Sequence, residues 1–292
     1  MTLKTIKEHG CHGGRVVYYS HRSEAVGTDM RIGVYYPPQM KKGAKLPALT
    51  YLAGLTCNEE TFLTKGGAQQ YAAEHGIILV APDTSPRGAG IVGEDGEWDF
   101  GSGAGFYINA TRGDWAKNYR MEDYVTQELQ GIMKNSLNVD MDSQGIFGHS
   151  MGGHGALTLG LKYPNLYKSI SAFAPICSPT SCSWGTKAFS GYIGGDHDDW
   201  KRHDAVELIR IMSKNDHKPV LVDQGLSDEF LNEQLKPNLL EEVCEKTGFP
   251  LTLRYHQDYD HSYYFMNTFM KGHIDHHAKI ISPQKTTEQA PN

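Results

Sequence analysis

Apolar residues follow two alternating patterns along this chain. Short runs rich in Val, Ile, Leu and aromatic residues recur, and from residue 46 onwards stretches with apolar residues three and four positions apart separate them. A short continuous apolar run is typical of a strand buried on both faces, whereas the three-to-four spacing predicts an amphipathic helix. Six strands are predicted in this region, in LPALTYLAGL, IILVAPD, GIFGHS, SISAFAP, PVLVDQG and LTLRYHQ. Strands that alternate with helices form a parallel sheet covered by helices on both faces.

Two more strand-like runs precede this region. GRVVYYSHRS and DMRIGVYYPP are joined by EAVGT, which predicts an antiparallel pair. Together the patterns predict an α/β fold with a mostly parallel sheet of about eight strands. Because there is no repeat, linker or second core, residues 1–292 are expected to form a single domain, with residues 281–292 as a flexible tail.

Two long connections interrupt the alternation. Residues 84–118 and 176–200 are rich in glycine and aromatic residues. Ordered loops of this length usually carry functional residues or cover a site. We therefore expect both segments to form walls or lids of a binding site.

Composition and charge narrow the functional classes. Hydrophobic residues make up 39% of the chain and charged residues 21%, as in a globular protein. The net charge is −6 and Lys and Arg form no cluster, which argues against nucleic acid as a partner. No apolar stretch reaches the length of a membrane-spanning helix, and the start MTLKTIKEHGCHGG lacks the apolar core of a signal peptide. A cytoplasmic protein without a membrane partner is expected.

Neither the cysteines nor the histidines predict a disulfide framework or a metal site. Five cysteines are an odd number, which favours free thiols. CSPTSC has no second pair of ligands at zinc-binding spacing. In HIDHHAK, His273, His276 and His277 lie at helical spacing on the last predicted helix, where carboxylate support for a metal site is not expected. We expect a solvated helix face there.

The sequence GHSMGGHG at residues 148–155 is the strongest candidate for chemistry. Ser150 lies in a G-x-S-x-G frame that follows the predicted strand GIF and opens the predicted helix MGGHGALTLGL. This context is that of the nucleophile elbow of the α/β-hydrolase fold, in which glycines permit a sharp turn around the serine. The N-terminus of a helix also favours developing negative charge. We therefore predict an α/β-hydrolase fold with Ser150 as its nucleophile.

A serine nucleophile needs a general base, and two histidines flank Ser150 in the sequence. His149 should leave the backbone in another direction and His154 lies inside the helix, so both are expected to support the elbow by packing or hydrogen bonding. In α/β-hydrolases the acid and then the base follow the nucleophile, on loops after later strands. The last strand, LTLRY, is followed by His256 and His261. His261 is favoured because it lies in the loop beyond the strand.

The acid of the triad is expected after the strand PVLV, in DQGLSDEFL. Asp228 is favoured because it lies beyond the strand end, whereas Asp223 ends the strand and is expected to fix the loop. The other candidates are Glu229, Asp258 and Asp260.

An oxyanion formed on attack needs two aimed N–H groups. One is expected from Met151, which follows the nucleophile. The other is expected from Leu55, in the turn YLAGLTC after the first parallel strand.

Long stretches of the chain resemble the S-formylglutathione hydrolases, a family also called esterase D. The resemblance extends from GGRVVYYSH to YYFMNTF, and its distinctive motifs are LAGLTCNEETF, APDTSPRG, GAGFYINAT, NYRMEDYV, GHSMGGHGAL, WGTKAFSGYIG, DQGLSDEFL and DHSYYF. It implies Ser150 as nucleophile, Asp228 as acid and His261 as base, with Leu55 and Met151 as oxyanion donors. It thereby selects Asp228 among the candidate acids.

The resemblance also implies an activity. That activity is hydrolysis of the thioester S-formylglutathione to glutathione and formate in formaldehyde detoxification, without a cofactor, by a homodimer that also cleaves short acyl esters. A broad-specificity short-chain carboxylesterase is the main alternative, since the same triad cleaves both kinds of ester. An acyltransferase and a non-catalytic binding protein are weaker alternatives, the latter because all three triad residues are present.

Three further residues are candidates for substrate binding. Cys57 matches a family cysteine near the site, with a small buried filler as the equal alternative. Trp184 resembles a family position that lines the entrance, with ordinary packing as its alternative. Lys187 is expected to attract the carboxylates of glutathione, although a lone basic residue is more often solvated surface.

Overall fold

The computed structural model describes residues 2–213 and 218–282, which contain one nine-stranded sheet. The strands are β1 (Lys4–Cys11), β2 (Gly14–Arg22), β3 (Asp29–Tyr36), β4 (Leu46–Leu52), β5 (Ile78–Pro82), β6 (Val139–His149), β7 (Ser169–Phe173), β8 (Val220–Gly225) and β9 (Leu251–His256). Their order across the sheet is β1-β2-β3-β5-β4-β6-β7-β8-β9. Strands β4 to β9 are parallel, and β1, β2 and β3 are antiparallel to their neighbours. The predicted α/β-hydrolase fold is confirmed.

The prediction of about eight strands missed β1. Every residue of β1 is exposed or half-buried, and the strand pairs only with β2 at the edge of the sheet. Lys and Glu side chains on an edge strand discourage pairing with another chain. Because the prediction depended on apolar runs, a strand that is polar on both faces gave no signal.

Eleven α-helices are described in residues 2–213 and 218–282. They are α1 (Glu59–Lys65), α2 (Gln69–His75), α3 (Trp115–Asn118), α4 (Met121–Asp123), α5 (Leu129–Ser136), α6 (Met151–Lys162), α7 (Ser183–Tyr192), α8 (His197–Lys201), α9 (Ala205–Ile211), α10 (Pro237–Thr247) and α11 (Tyr263–Ile281). Helices α1, α5, α6 and α11 pack directly on the sheet. None of the described helices has the length and apolar character needed to cross a membrane. Of the predicted tail, residues 281–292, Ile281 still belongs to α11, and residues 283–292 lie outside the described residues.

The two long connections contain helices and contact each other. Residues 84–118 end in α3, and residues 176–200 include α7 and part of α8. The ring of Trp98 from the first segment packs edge-on against Trp184 from the second, with 5.6 Å between centroids. Lys187 on α7 also forms ion pairs with Glu97 and Asp99. The two segments therefore form one joined wall.

The histidine-rich face of α11 is buried, so the predicted solvated face is wrong. His273 and His277 are fully buried, and His276 is half-buried. The ring nitrogens of His277 lie 2.6 Å from Ser169 Oγ and 2.8 Å from Ser171 Oγ, and His273 Nδ1 lies 2.8 Å from the same Ser171 oxygen. The hydroxyl partners belong to β7, far away in the sequence, so helical spacing alone could not reveal them.

Asp223, at the end of β8, belongs to the same buried network. Its carboxylate accepts two hydrogen bonds from the Arg254 guanidinium, at 2.5 and 2.6 Å, and lies 3.3 Å from Nε2 of both His256 and His273. Burial opposes ionisation, but His273 and Arg254 together hold the pKa of Asp223 below its usual range. The ionised carboxylate therefore fixes the strand end from which the loop to Asp228 departs.

The loops that carry the predicted site lie at one edge of the sheet. Residues at the carboxyl ends of the parallel strands pair with one another, as Leu52 with Gly148, His149 with Phe173 and Gly225 with His256. Ligand sites in open α/β sheets lie at the carboxyl ends of the strands. The segments that follow β4, β6, β8 and β9 carry, in that order, Leu55, Ser150, Asp228 and His261.

Candidate active site

Ser150 lies in the sharp turn between β6 and α6. Its φ of 57° and ψ of −119° are unfavourable for an L-residue, a strain of roughly 1–3 kcal/mol. Backbone hydrogen bonds hold this conformation. The N–H of Ser150 donates to Phe173 O over 3.0 Å, and Ser150 O accepts from the N–H groups of His154 and Ile176 over 3.0 and 3.2 Å.

The two glycines of the G-x-S-x-G frame allow the backbone to approach itself closely. A Cβ atom at Gly148 would lie 2.1 Å from Gly152 O, and one at Gly152 would lie 1.9 Å from Leu52 O. Both contacts are to backbone atoms, which cannot swing aside. The frame therefore requires glycine at both positions.

The turn after β4 lies directly against Ser150. A Cβ atom built on Gly54 would be 3.2 Å from Ser150 Cβ. Leu55 follows Gly54 in this turn, and Met151 is the first residue of α6, where a helix leaves its N–H groups without an intrahelical acceptor. Within the described residues, neither the Leu55 nor the Met151 N–H donates a hydrogen bond. The two predicted oxyanion donors thus directly follow Gly54 and Ser150 in the chain, and their N–H groups are unused among the described residues.

His261 and Asp228 form a close hydrogen-bonded pair. His261 Nδ1 lies 2.6 Å from Asp228 Oδ2, and the Asp228 side chain is fully buried. A charge-assisted bond of this length fixes the orientation of the imidazole ring. When Nδ1–H donates to the carboxylate, Nε2 is left as the acceptor that a general base requires. The His261 ring packs against His149, the neighbour of Ser150, with 4.5 Å between centroids.

Two further donors hold the Asp228 carboxylate. The Phe230 N–H donates to Oδ1 over 2.9 Å, and Gln224 Nε2 donates to Oδ2 over 3.3 Å. Gln224 is fully buried in β8, and sequence reasoning missed it. A polar residue near the carboxyl end of an otherwise apolar strand was the available signal.

The other acid and base candidates have different partners. His256 stacks on Phe269, with 3.6 Å between ring centroids, and contacts Asp223. Asp260 accepts hydrogen bonds from the N–H and the hydroxyl of Ser262 at the start of α11. Among the described hydrogen bonds and ion pairs, none joins Asp223 or Asp260 to His261.

The histidines that flank Ser150 in the sequence are buried and poor bases. Burial, followed by the nearby His261, lowers the pKa of His149 well below its usual value. Burial lowers the pKa of His154 to about 3, and its Nε2–H donates to Phe106 O over 3.1 Å. Both rings are therefore neutral at neutral pH. Their positions agree with the predicted supporting role.

Trp184 lies in an aromatic wall that leads to His261. Its ring packs 4.9 Å from that of Phe230, and Phe230 packs edge-on against His261 at 5.1 Å. On its other side Trp184 contacts Trp98, which is 55% exposed. The wall thus extends from the predicted base to the surface, as expected for residues that line an entrance.

Lys187 has its charge already matched. Its ammonium forms ion pairs with Glu97 and with Asp99, the latter at 2.5 Å. The hydrogen bonds that its ammonium donates to Asp99 and Glu97 raise the pKa of Lys187. A lysine with two acidic partners has little attraction left for an anionic substrate, which weakens the predicted role of Lys187.

Cys57 lies beside the site as a protonated thiol. Burial raises the pKa of the thiol, although hydrogen bonds with Tyr263 and Thr61 oppose this effect. The Tyr263 ring in turn packs 5.8 Å from that of His149. Cys57 is therefore near the predicted triad but lacks the thiolate character of a nucleophile.

Comparisons with known proteins agree with this architecture. The Esterase family model matches residues 23–276. The S-formylglutathione hydrolase of Mus musculus is 51% identical over 283 residues, which cover 97% of this chain and 100% of that protein. The enzyme of the same name from Arabidopsis thaliana is 50% identical over 264 residues, 90% of this chain and 92% of its own.

Solved structures show the same relationship. The S-formylglutathione hydrolase from Agrobacterium tumefaciens superposes with a TM-score of 0.90 at 43% identity, over 95% of this chain and 99% of that one. The serine hydrolase FphF from Staphylococcus aureus, with a TM-score of 0.71 and 18% identity over 91% of this chain and 98% of its own, shares the fold. The sequence and the fold together show that the chain belongs to the S-formylglutathione hydrolase family of esterases.

Proposed function

We propose that this protein hydrolyses S-formylglutathione to glutathione and formate in formaldehyde detoxification, with a side activity on short acyl esters. The observation that carries the proposal is the 2.6 Å pair of His261 and Asp228, because the His261 ring packs against His149, which precedes Ser150 in the strained turn. Family membership supports the choice of substrate. The chemistry uses side chains of this chain and water, and needs no cofactor.

In the first half-reaction, Ser150 attacks the formyl carbon of the thioester. His261 Nε2 takes the hydroxyl proton as the new C–O bond forms, and the Asp228 carboxylate stabilises the resulting imidazolium. The carbonyl oxygen gains negative charge, which the N–H groups of Leu55 and Met151 stabilise. Collapse of the intermediate breaks the C–S bond and releases the glutathione thiolate.

In the second half-reaction, water cleaves the formyl ester on Ser150. His261, deprotonated once its proton has passed to the departing thiolate, takes a proton from the water, and the hydroxide attacks the formyl carbon. The C–O bond to Ser150 then breaks, His261 returns the proton to the serine oxygen, and formic acid leaves and loses its remaining proton to water, which gives formate. A thiolate is a good leaving group, so stabilisation of the oxyanion matters more than protonation of the leaving group.

The buried His149 is compatible with this mechanism. His149 contacts the His261 ring, and a second positive charge there would disfavour the imidazolium that forms on attack. Because burial keeps His149 neutral, it fills the space beside the base without opposing its protonation. This supports the assignment of the base to His261.

A cytoplasmic location and a homodimeric state are parts of the same proposal. The homodimeric state rests on the family resemblance alone, and the cytoplasmic location rests on the sequence. Light scattering of the purified protein measures the oligomeric state, and fractionation of the source cells tests the location. A monomer, or enrichment outside the cytoplasm, would contradict the respective part.

The activity is tested by comparing S-formylglutathione with a short aryl acetate. Ser150→Ala and His261→Ala are expected to lower kcat on both substrates by roughly 10⁴-fold or more. Ser136→Ala and His9→Ala, at exposed positions, are the matched controls. Near-normal turnover by Ser150→Ala would refute the mechanism, whereas weak wild-type turnover of the thioester with strong ester hydrolysis would favour the carboxylesterase.

A further inference from the structure

A groove lies next to the loop that carries the predicted base. It has a volume of 720 Å³ and is lined by Lys65 at the end of α1 and by Ser262, Tyr263, Tyr264 and Asn267 at the start of α11. Sites for small molecules typically have roughly 300–1,000 Å³. Ser262 follows His261 directly, and the Tyr263 ring packs 5.8 Å from that of His149, so the groove lies close to the predicted triad.

Lys65 places an unmatched positive charge in this groove. Its side chain is exposed and forms no ion pair with any residue in 2–213 or 218–282. Its charge acts on the neighbouring thiol of Cys57, where it favours the thiolate. Lys187, the lysine predicted from the sequence to attract glutathione, has two acidic partners. Of these two lysines, Lys65 is the one available to an anion.

Two other side chains complete a polar and aromatic surface. Tyr264 is 86% exposed, so its ring is open to a ligand. The Asn267 amide has no hydrogen-bond partner in the described part of the chain, and it lies against Gly67, where an added Cβ would be 2.2 Å from Nδ2. Single exposed aromatic residues are common on proteins. Here the ring adjoins an unmatched cation and an unused amide in one groove beside the base.

We propose that this groove binds the glutathionyl part of the substrate, with Lys65 pairing a carboxylate and Asn267 bonding a peptide amide. The inference rests on the proposed function. Glutathione carries two carboxylates and one ammonium group, so one unmatched cation fits its net negative charge. The protein is itself negative, with a net charge of −6, and a local cation offsets that repulsion.

Charge reversal at Lys65 tests this site with two substrates. Lys65→Ala is expected to raise KM for S-formylglutathione about fivefold, as for a single solvent-exposed ion pair, and Lys65→Glu about 25-fold. Hydrolysis of p-nitrophenyl acetate, which lacks the peptide, is expected to change by less than about twofold. Lys134→Glu, exposed near the end of α5, is the charge-matched control and should leave both reactions unchanged.

Glutathione as an inhibitor of p-nitrophenyl acetate hydrolysis gives a second readout. Its inhibition constant should rise in Lys65→Glu by the same factor as KM. An equal loss of activity on both substrates in Lys65→Glu, or an unchanged KM for S-formylglutathione, would overturn the groove assignment. Either result would leave the proposed function intact. If the wild type does not cleave the thioester, the proposed function fails. In that case, inhibition of ester hydrolysis by glutathione that Lys65→Glu abolishes would still support the groove. No inhibition of the wild type by glutathione would refute the groove assignment.

Discussion

A single added methyl group at Gly152 is expected to disrupt the elbow. The Cβ atom of an alanine there would lie 1.9 Å from Leu52 O and 2.6 Å from Ala53 O. Carbon and oxygen approach to about 3.3 Å even in close contacts, so α6 and the end of β4 must separate by roughly 1 Å or more. Overpacking costs about 1–3 kcal/mol when side chains can adjust. Because both obstacles are backbone atoms of the central sheet and its turn, we expect a loss of about 3 kcal/mol or more.

The catalytic loss should exceed the loss of stability. Displacement of a reacting group by about 1 Å can cost 100-fold in rate. The assay combines urea unfolding with kcat for a short aryl acetate. Gly131→Ala in α5 is the matched control, since a Cβ there meets nothing within 4 Å. It should stabilise the protein by about 0.5–1 kcal/mol, because alanine favours a helix interior over glycine. A Gly152→Ala variant with wild-type activity and a free energy of unfolding within about 0.5 kcal/mol of wild type would refute this reasoning.

Three other variants test the surroundings of the site. Gln224→Leu should lower kcat about tenfold with little change in KM, because Asp228 loses a hydrogen-bond donor. Unchanged kinetics would show that Gln224 does not contribute to the site. Arg254→Met should lower the free energy of unfolding by about 2 kcal/mol at pH 7, a value reduced by the partial exposure of Arg254. The folded state depresses the pKa of Asp223, so the stabilisation exists above its unfolded pKa of about 3.9 and is lost as pH falls through the folded value. The difference in the free energy of unfolding between wild type and Arg254→Met, measured by urea unfolding, should therefore become smaller below about pH 4. A difference that stays constant with pH would contradict the role of Asp223 as the partner of Arg254. His277→Leu leaves the Ser169 hydroxyl buried without its partner and should cost about 1–3 kcal/mol, seen as a lower Tm, whereas an unchanged Tm would show that the bond contributes nothing.

Sequence reasoning succeeded where local patterns determine the structure. The strands from β4 onwards are apolar runs, and the G-x-S-x-G frame predicts a turn that only glycines permit. Asp228 and His261 were predicted from the order of strands, which fixes which loops meet at the sheet edge. In the structure, Nδ1 of His261 lies 2.6 Å from Oδ2 of Asp228.

Two departures from the sequence-based picture have a different cause, since each depends on a partner that is distant in sequence. His277 looks solvated until Ser169 and Ser171 are placed against it. Lys187 looks free until Glu97 and Asp99 approach from another segment. Such pairs leave no periodic signal along the chain.

The order of the site residues along the chain determines when the site can form during synthesis and folding. Ser150 is synthesised before Asp228 and His261, which flank the last strand, and α11 follows them and packs on β6, β7 and β8. A chain that ends before β9 thus carries a serine without its base. Recovery of ester hydrolysis during refolding should therefore report the docking of the C-terminal segment, and an unfinished chain should be chemically inert.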